Sequence, residues 1–135
     1  MKALSLTQPW ASLVVLGAKH YETRSWQTSH RGPLAIHATK TFPPLAKALC
    51  GQEPFKSALA AGGFLSWTDL PLGQVIGTVT LLDCHPVEEL SPSEVERAFG
   101  DYRPGRWAWH LTAAQRLAVP YPYRGCLSLF YVPDP

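Results

Sequence analysis

A chain of 135 residues with 46% hydrophobic content is enough for one compact domain over residues 1–135, burying roughly two thirds of its unfolded surface, and too short for a second. Its formal net charge of +2 excludes a polycation that coats nucleic acid indiscriminately, so any anionic partner has to meet a local patch. Residues 1–56 hold seven Lys/Arg against two acids and residues 57–135 five against eight, which puts that patch in the first part of the chain.

In chain order, Met1–Leu6 alternates weakly and reads as a strand, with Thr7 placed to cap the next element. A helix begins at Pro9, where a missing N–H costs nothing, and ends at Gly17 in a left-handed conformation. Trp10, Leu13, Val14 and Gly17 share a face of it. Lys19–Trp26 reads as a strand with Tyr21, Thr23 and Ser25 on one side and His20, Glu22, Arg24 and Trp26 on the other. Arg31-Gly32 marks a turn, and Leu34–Thr39 a second strand. Leu45–Cys50 and Phe55–Ala61 are short helices separated by Gly51–Pro54. The Gly- and Pro-rich stretch Gly62–Gly73 is a loop able to fold over a cleft, although it carries Phe64, Leu65 and Trp67. Gln74–Cys84 is the clearest strand. Ser91 opens a helix with capping-box spacing to Glu94, and Arg106–Leu111 and Gly125–Val132 close the pattern as strands. About six strands with a few short helices, not in regular alternation, indicate an α+β domain whose sheet curls into a small barrel.

Cys50, Cys84 and Cys126 are odd in number, widely spaced and form no CxxC pair, which argues against a disulfide framework, a zinc finger or any other metal site. A reducing cytoplasm is the expected compartment. No signal-type apolar segment opens the chain, and the longest apolar run, Ala11–Leu16 broken by Ser12, is too short to span a bilayer.

Chemistry concentrates between Gln8 and Gly32. Gln8, Trp10, Lys19, Glu22, Arg24, Ser25, Trp26 and Arg31 supply amide, indole, ammonium, carboxylate, guanidinium and hydroxyl groups there. Arg24 and Arg31 suit phosphate, Trp10 or Trp26 suits stacking on an unpaired base, and Gln8 and Ser25 suit hydrogen bonds to a base edge. The expected ligand is RNA, single-stranded DNA or a modified nucleoside, with no cofactor. Several of these groups also have structural readings. Trp10 on a helix face can equally be core. Glu22 and Arg24 can form an internal ion pair, Arg31 can belong to a plain turn, and His37, Trp107 and Trp109 read as barrel filling.

The segments LSLTQPWASLVVLGAKHYETRSW and HRGPLAIHATK resemble the ASCH domain, a family similar in fold to the PUA domains of RNA-modifying proteins. GQVIGTVTLLDC, GRWAWHL and PYRGCLSLFYV resemble its remaining strands. The resemblance implies a mixed PUA-like β-barrel with helices flanking a positively charged cleft that binds RNA, DNA or nucleotide-like ligands. Small bacterial members similar to it are amidohydrolases acting on N-acylated cytidine, with a lysine after the first helix and a threonine three positions later. Lys19 matches the lysine, while Glu22 occupies the threonine position with Thr23 beside it. By this resemblance Lys19, Glu22 and Thr23 are the catalytic candidates, with Asp83, Glu94 or Asp101 as a further carboxylate. A ribonuclease using Lys19 with His20, His30 or His37 is a variant of the same reading. A third reading is a protein-interaction module built on the Trp67 loop and Pro120–Gly125.

Overall fold

The computed structural model describes Met1–Pro135. Strand β1 (Lys2–Leu6) leads into helix α1 (Trp10–Val15), strand β2 (Tyr21–Arg24) and strand β3 (Gly32–Ala38). Helices α2 (Pro44–Leu49) and α3 (Phe55–Ala61) follow, then strand β4 (Gln74–Pro86), helix α4 (Glu94–Ala98), strand β5 (Trp107–Pro122) and strand β6 (Leu129–Tyr131). The six strands form one mixed sheet in the order β2-β5-β4-β3-β1-β6, with only the β1–β3 pair parallel. Register shifts in β3 against β4 and in β4 against β5 add local twist, as bulges do, and curl the sheet into a half-barrel. This is the α+β architecture read from the sequence.

Helix α1 is buried on both sides rather than on one face. Ala11, Val14 and Val15 join Leu4, Ile36, Ile76 and Trp109 in the main core, whereas Leu13 belongs to a second cluster with Phe42, Phe55, Leu59 and Phe99. The helix is therefore the wall between the sheet and the α2–α3 layer. Its tight seat depends on Gly77, where a Cβ would lie 2.5 Å from both Gln115 O and Val15 Cγ1. Gly17 ends the helix at φ +75°, and Ala18 N donates to Leu13 O at 3.0 Å, as a left-handed terminus requires.

Several boundaries differ from expectation, most of them for a tertiary reason. Thr7 does not cap α1; the fully buried Gln8 does so from inside, its Oε1 accepting from Ser12 N at 3.0 Å while Nε2 donates to Ser12 Oγ and Pro71 O. The strand expected over Lys19–Trp26 shrinks to Tyr21–Arg24. At its start, Lys19 N is still bonded to Leu13 O of the helix. At its end, Trp26 turns edge-on to Trp109, whose indole donates to Trp26 O. Ser93, not Ser91, caps α4 by accepting from Glu96 N. β5 runs on to Pro122 because β4 pairs with it through three irregularities. The Gly62–Gly73 loop is anchored by buried Phe64 and Leu70 in the second cluster, although Leu65 and Trp67 remain exposed. No helix is long and apolar enough to cross a membrane.

Candidate functional site

The end of β1, the start of α1, β2 and the segment after α4 enclose a cleft of about 510 Å³. Its polar lining is Ser5, Thr7, Glu22, Thr23, Arg24, Asp101 and Arg106, and its apolar lining includes Trp10, Phe55 and Phe99. Trp10 is half-buried and set edge-on to Phe55 with ring centroids 6.3 Å apart. It thus combines the core and cleft-facing roles that the sequence left open.

An ion-pair chain runs along β2. Arg24 Nε lies 3.0 Å from Glu22 Oε2, and Glu22 Oε1 lies 3.4 Å from Lys19 Nζ. Lys19 Nζ also donates to Tyr21 O. The lysine side chain is 1% exposed and does not line the cleft, so its ammonium is not presented to a ligand there. Arg24 differs. One of its Nη groups donates weakly to Ser5 O at 3.3 Å, and the buried Nε has no acceptor on the line of its proton. A guanidinium has five donors; this one keeps capacity in reserve.

The opposite wall is Asp101 with its arginines. Arg103 Nη2 lies 2.5 Å from Asp101 Oδ2, and Arg106 Nε lies 3.5 Å from the same oxygen. The hydrogen bond from Arg103 holds the Asp101 carboxyl down at about 2 against partial desolvation, so it is an anion at neutral pH. Asp101 N donates to Thr23 Oγ1 at 3.2 Å, and Arg106 Nη2 to Thr23 O at 3.0 Å. Thr23 therefore ties the two walls together and still has a hydroxyl proton to donate.

Of the residues singled out in the sequence, Trp10, Glu22, Thr23 and Arg24 converge on this cleft. Gln8 is corrected from ligand contact to framework, because burial and three hydrogen bonds use its amide. Ser25 and Trp26 lie outside the lining, and Arg31 is an exposed turn residue whose Nη1 donates to Thr28 O and His30 O of its own loop. The histidines do not converge either. His20 bonds to Glu96, His30 to Pro33 O, and His37 is a buried residue bonded at both ring nitrogens. Among the later acids only Asp101 reaches the cleft, while Asp83 sits by His85 and Glu94 is exposed on α4.

Two participants were missed. Arg106 was placed in a strand, with nothing local to mark it as a wall of the site. Glu96 is a buried carboxylate whose Oε1 accepts from His20 N at 2.7 Å and Tyr21 N at 2.8 Å. Its spacing from Ser93 is that of a capping box, the available signal. The Glu96 carboxylate nonetheless turns away from its own helix to hold the start of β2.

Residues 4–121 match the family model described as ASCH domain. Activating signal cointegrator 1 of Mus musculus and of Homo sapiens are each 34% identical to this chain over 126 residues, 90% of its length but 20% of theirs. The chain thus spans about a fifth of these relatives. The crystal structure of ASCH from Zymomonas mobilis matches with a TM-score of 0.58 at 15% identity, over 98% of this chain and 87% of that one. A single-residue mutant of the same protein matches with a TM-score of 0.56 at 15% identity, over 98% and 90% of the two chains. At that identity the likeness concerns the fold alone. The family model covers most of the sequence, and the sheet order and first-helix cleft accompany it: the chain belongs to the ASCH domain family.

Proposed function

We propose that the first cleft receives one unpaired base of RNA or single-stranded DNA, or the base of a modified nucleoside. The observation that carries this reading is the charge balance of its lining: Glu22 and Asp101 face Arg24 and Arg106, beside Trp10 and Phe55. Two carboxylates disfavour a phosphate deep in the cleft. A nucleobase, by contrast, has donors for the acids, acceptors for the guanidinium groups and a flat apolar face for the indole.

Titrating wild-type protein and Arg24→Ala with a single-stranded RNA octamer tests the reading. Loss of a charged donor to a ligand acceptor costs about 1.5–3 kcal/mol, so affinity should fall roughly tenfold or more. Equal affinity in a folded variant refutes it. Hydrolysis through Lys19 has no specific observation in its favour, since the ammonium is buried and committed to Tyr21 O and Glu22.

A further inference from the structure

A larger cleft of about 970 Å³ adjoins the first, and Ser5 and Arg24 line both. Its charged lining is Arg24, Lys40 and Arg124, with no carboxylate. Lys40 and Arg124 are exposed and neither takes part in any of the ion pairs of the chain. The contrast with the first cleft is one of sign: balanced charge there, and here two cations without a partner, Lys40 and Arg124, beside Arg24, whose partner Glu22 lines only the first cleft.

The cationic rim is held by the fold. His37, 1% exposed, lies 2.7 Å by Nε2 from Tyr123 O and 2.9 Å by Nδ1 from Ser5 Oγ. A carbonyl only accepts, so Nε2 carries a proton and donates to it. Tyr123 N donates to Gly73 O at 3.2 Å. On the far side of Arg124, Gly125 lies so close that a Cβ would stand 2.8 Å from Ser5 Oγ and 2.9 Å from His37 Cε1. The backbone of Arg124 is therefore held between two fixed residues, while its exposed guanidinium makes no hydrogen bond or ion pair within the chain. Ser5, Thr39 and Ser128 add hydroxyls to the lining.

We propose that the second cleft is a phosphate subsite for the ligand whose base enters the first, with Arg24 at the junction and Lys40 and Arg124 beyond it. The ligand class is then a nucleotide or single strand in preference to a free nucleoside. This inference rests on the base-binding reading above. Lys40 and Arg124 are like charges without a counterion, and a phosphate between them and Arg24 relieves their repulsion while accepting from Arg in bidentate fashion.

The test compares wild type with Lys40→Ala/Arg124→Ala, whose removed side chains are exposed and make no hydrogen bond to the rest of the chain. Calorimetric titrations use cytidine, its 3′- and 5′-monophosphates and a single-stranded RNA octamer, with the octamer repeated over a salt series. Wild type should bind one monophosphate at least fivefold tighter than cytidine. The double variant should lose that preference and keep its cytidine affinity, and its log–log salt slope for the octamer should drop by about 1.4, two contacts at roughly 0.7 each for a single strand. Unchanged monophosphate preference and salt slope would overturn the subsite while leaving base binding intact. If wild type binds none of the four probes, the base-binding reading fails and the subsite with it.

Discussion

Glu96→Ala should destabilise the protein by about 3 kcal/mol, although the sequence marks Glu96 only by its capping-box spacing from Ser93. Its carboxylate, 6% exposed, receives the backbone N–H groups of His20 and Tyr21 at 2.7 and 2.8 Å. Hydrogen bonds to a charged acceptor contribute about 1.5–3 kcal/mol each, so two set a ceiling of about 6. Two effects reduce that figure. Removing the carboxylate abolishes its own desolvation cost, and a neighbouring cleft of about 320 Å³ lined by His20, Ser93 and Glu96 gives water a route to the freed amides. Glu96→Gln keeps one carbonyl oxygen for both amides and loses the charge and the oxygen facing His20 Nδ1, so it should cost about 1 kcal/mol. Equilibrium urea unfolding with an unchanged slope reads both values. Because β2 carries Glu22 and Arg24, the alanine variant should also bind RNA more weakly, whereas the glutamine variant should bind like wild type. A cost below 1 kcal/mol for Glu96→Ala, or equal damage from both variants, would refute the claim that this carboxylate anchors β2.

Tyr102→Phe should be neutral or stabilising by up to about 1 kcal/mol in thermal melts, since the buried Oη has no hydrogen-bond partner and an unsatisfied hydroxyl is a cost; a clear loss would mean that it has one. Burial first, and then the Glu96 charge, push the Tyr102 phenol above the ordinary tyrosine range. Its contribution is thus complete below pH about 10, where unfolded tyrosine begins to ionise, and is lost as pH rises beyond that; in a spectrophotometric titration one of the five tyrosines should ionise only as the fold opens. Gly77→Ala should cost about 2 kcal/mol or more, because the new methyl meets Gln115 O as well as Val15, and adding Val15→Ala should not restore wild-type stability. The Asp101 carboxyl, held at about 2 instead of 3.8, stabilises the fold above pH about 4, and that contribution disappears between 4 and 2. The stability gap between wild type and Asp101→Asn should therefore close over that interval; since the group is about a third exposed, added salt should narrow the gap at pH 7 as well.

The local signals that proved legible are those whose cause is local. Proline and glycine bracket α1, the Val/Ile/Thr alternation marks β4, and Trp10, Glu22, Thr23 and Arg24, close in sequence, line one cleft. Most of the failures have a long-range cause. Lys19 and His20 fit a strand pattern, but the helix terminus holds the amide of one and Glu96 the amide of the other. Gln8 has the chemistry of a base reader and spends it on Ser12 and Pro71, 63 residues away. Trp26 offers a stacking face in sequence and packs edge-on to Trp109 instead. Arg31 reads as a phosphate contact and satisfies the carbonyls of its own turn. Asp101, one of three acids offered as the further carboxylate, and Arg106, not offered at all, reach the site because α4 and its trailing segment fold back onto Thr23, which no pattern within either segment encodes.

The central claim, a base held in the cleft between β1, α1 and β2, is tested most directly by following backbone amide and indole NMR signals while a single-stranded RNA octamer is added. The signals of Thr7, Trp10, Thr23, Arg24 and Asp101 should shift together along one saturable curve, while those of the Thr28–Arg31 turn and the Trp67–Asp69 turn stay in place. Shifts confined to Leu65–Asp69 with the cleft silent, or no shift anywhere at millimolar RNA, would contradict it.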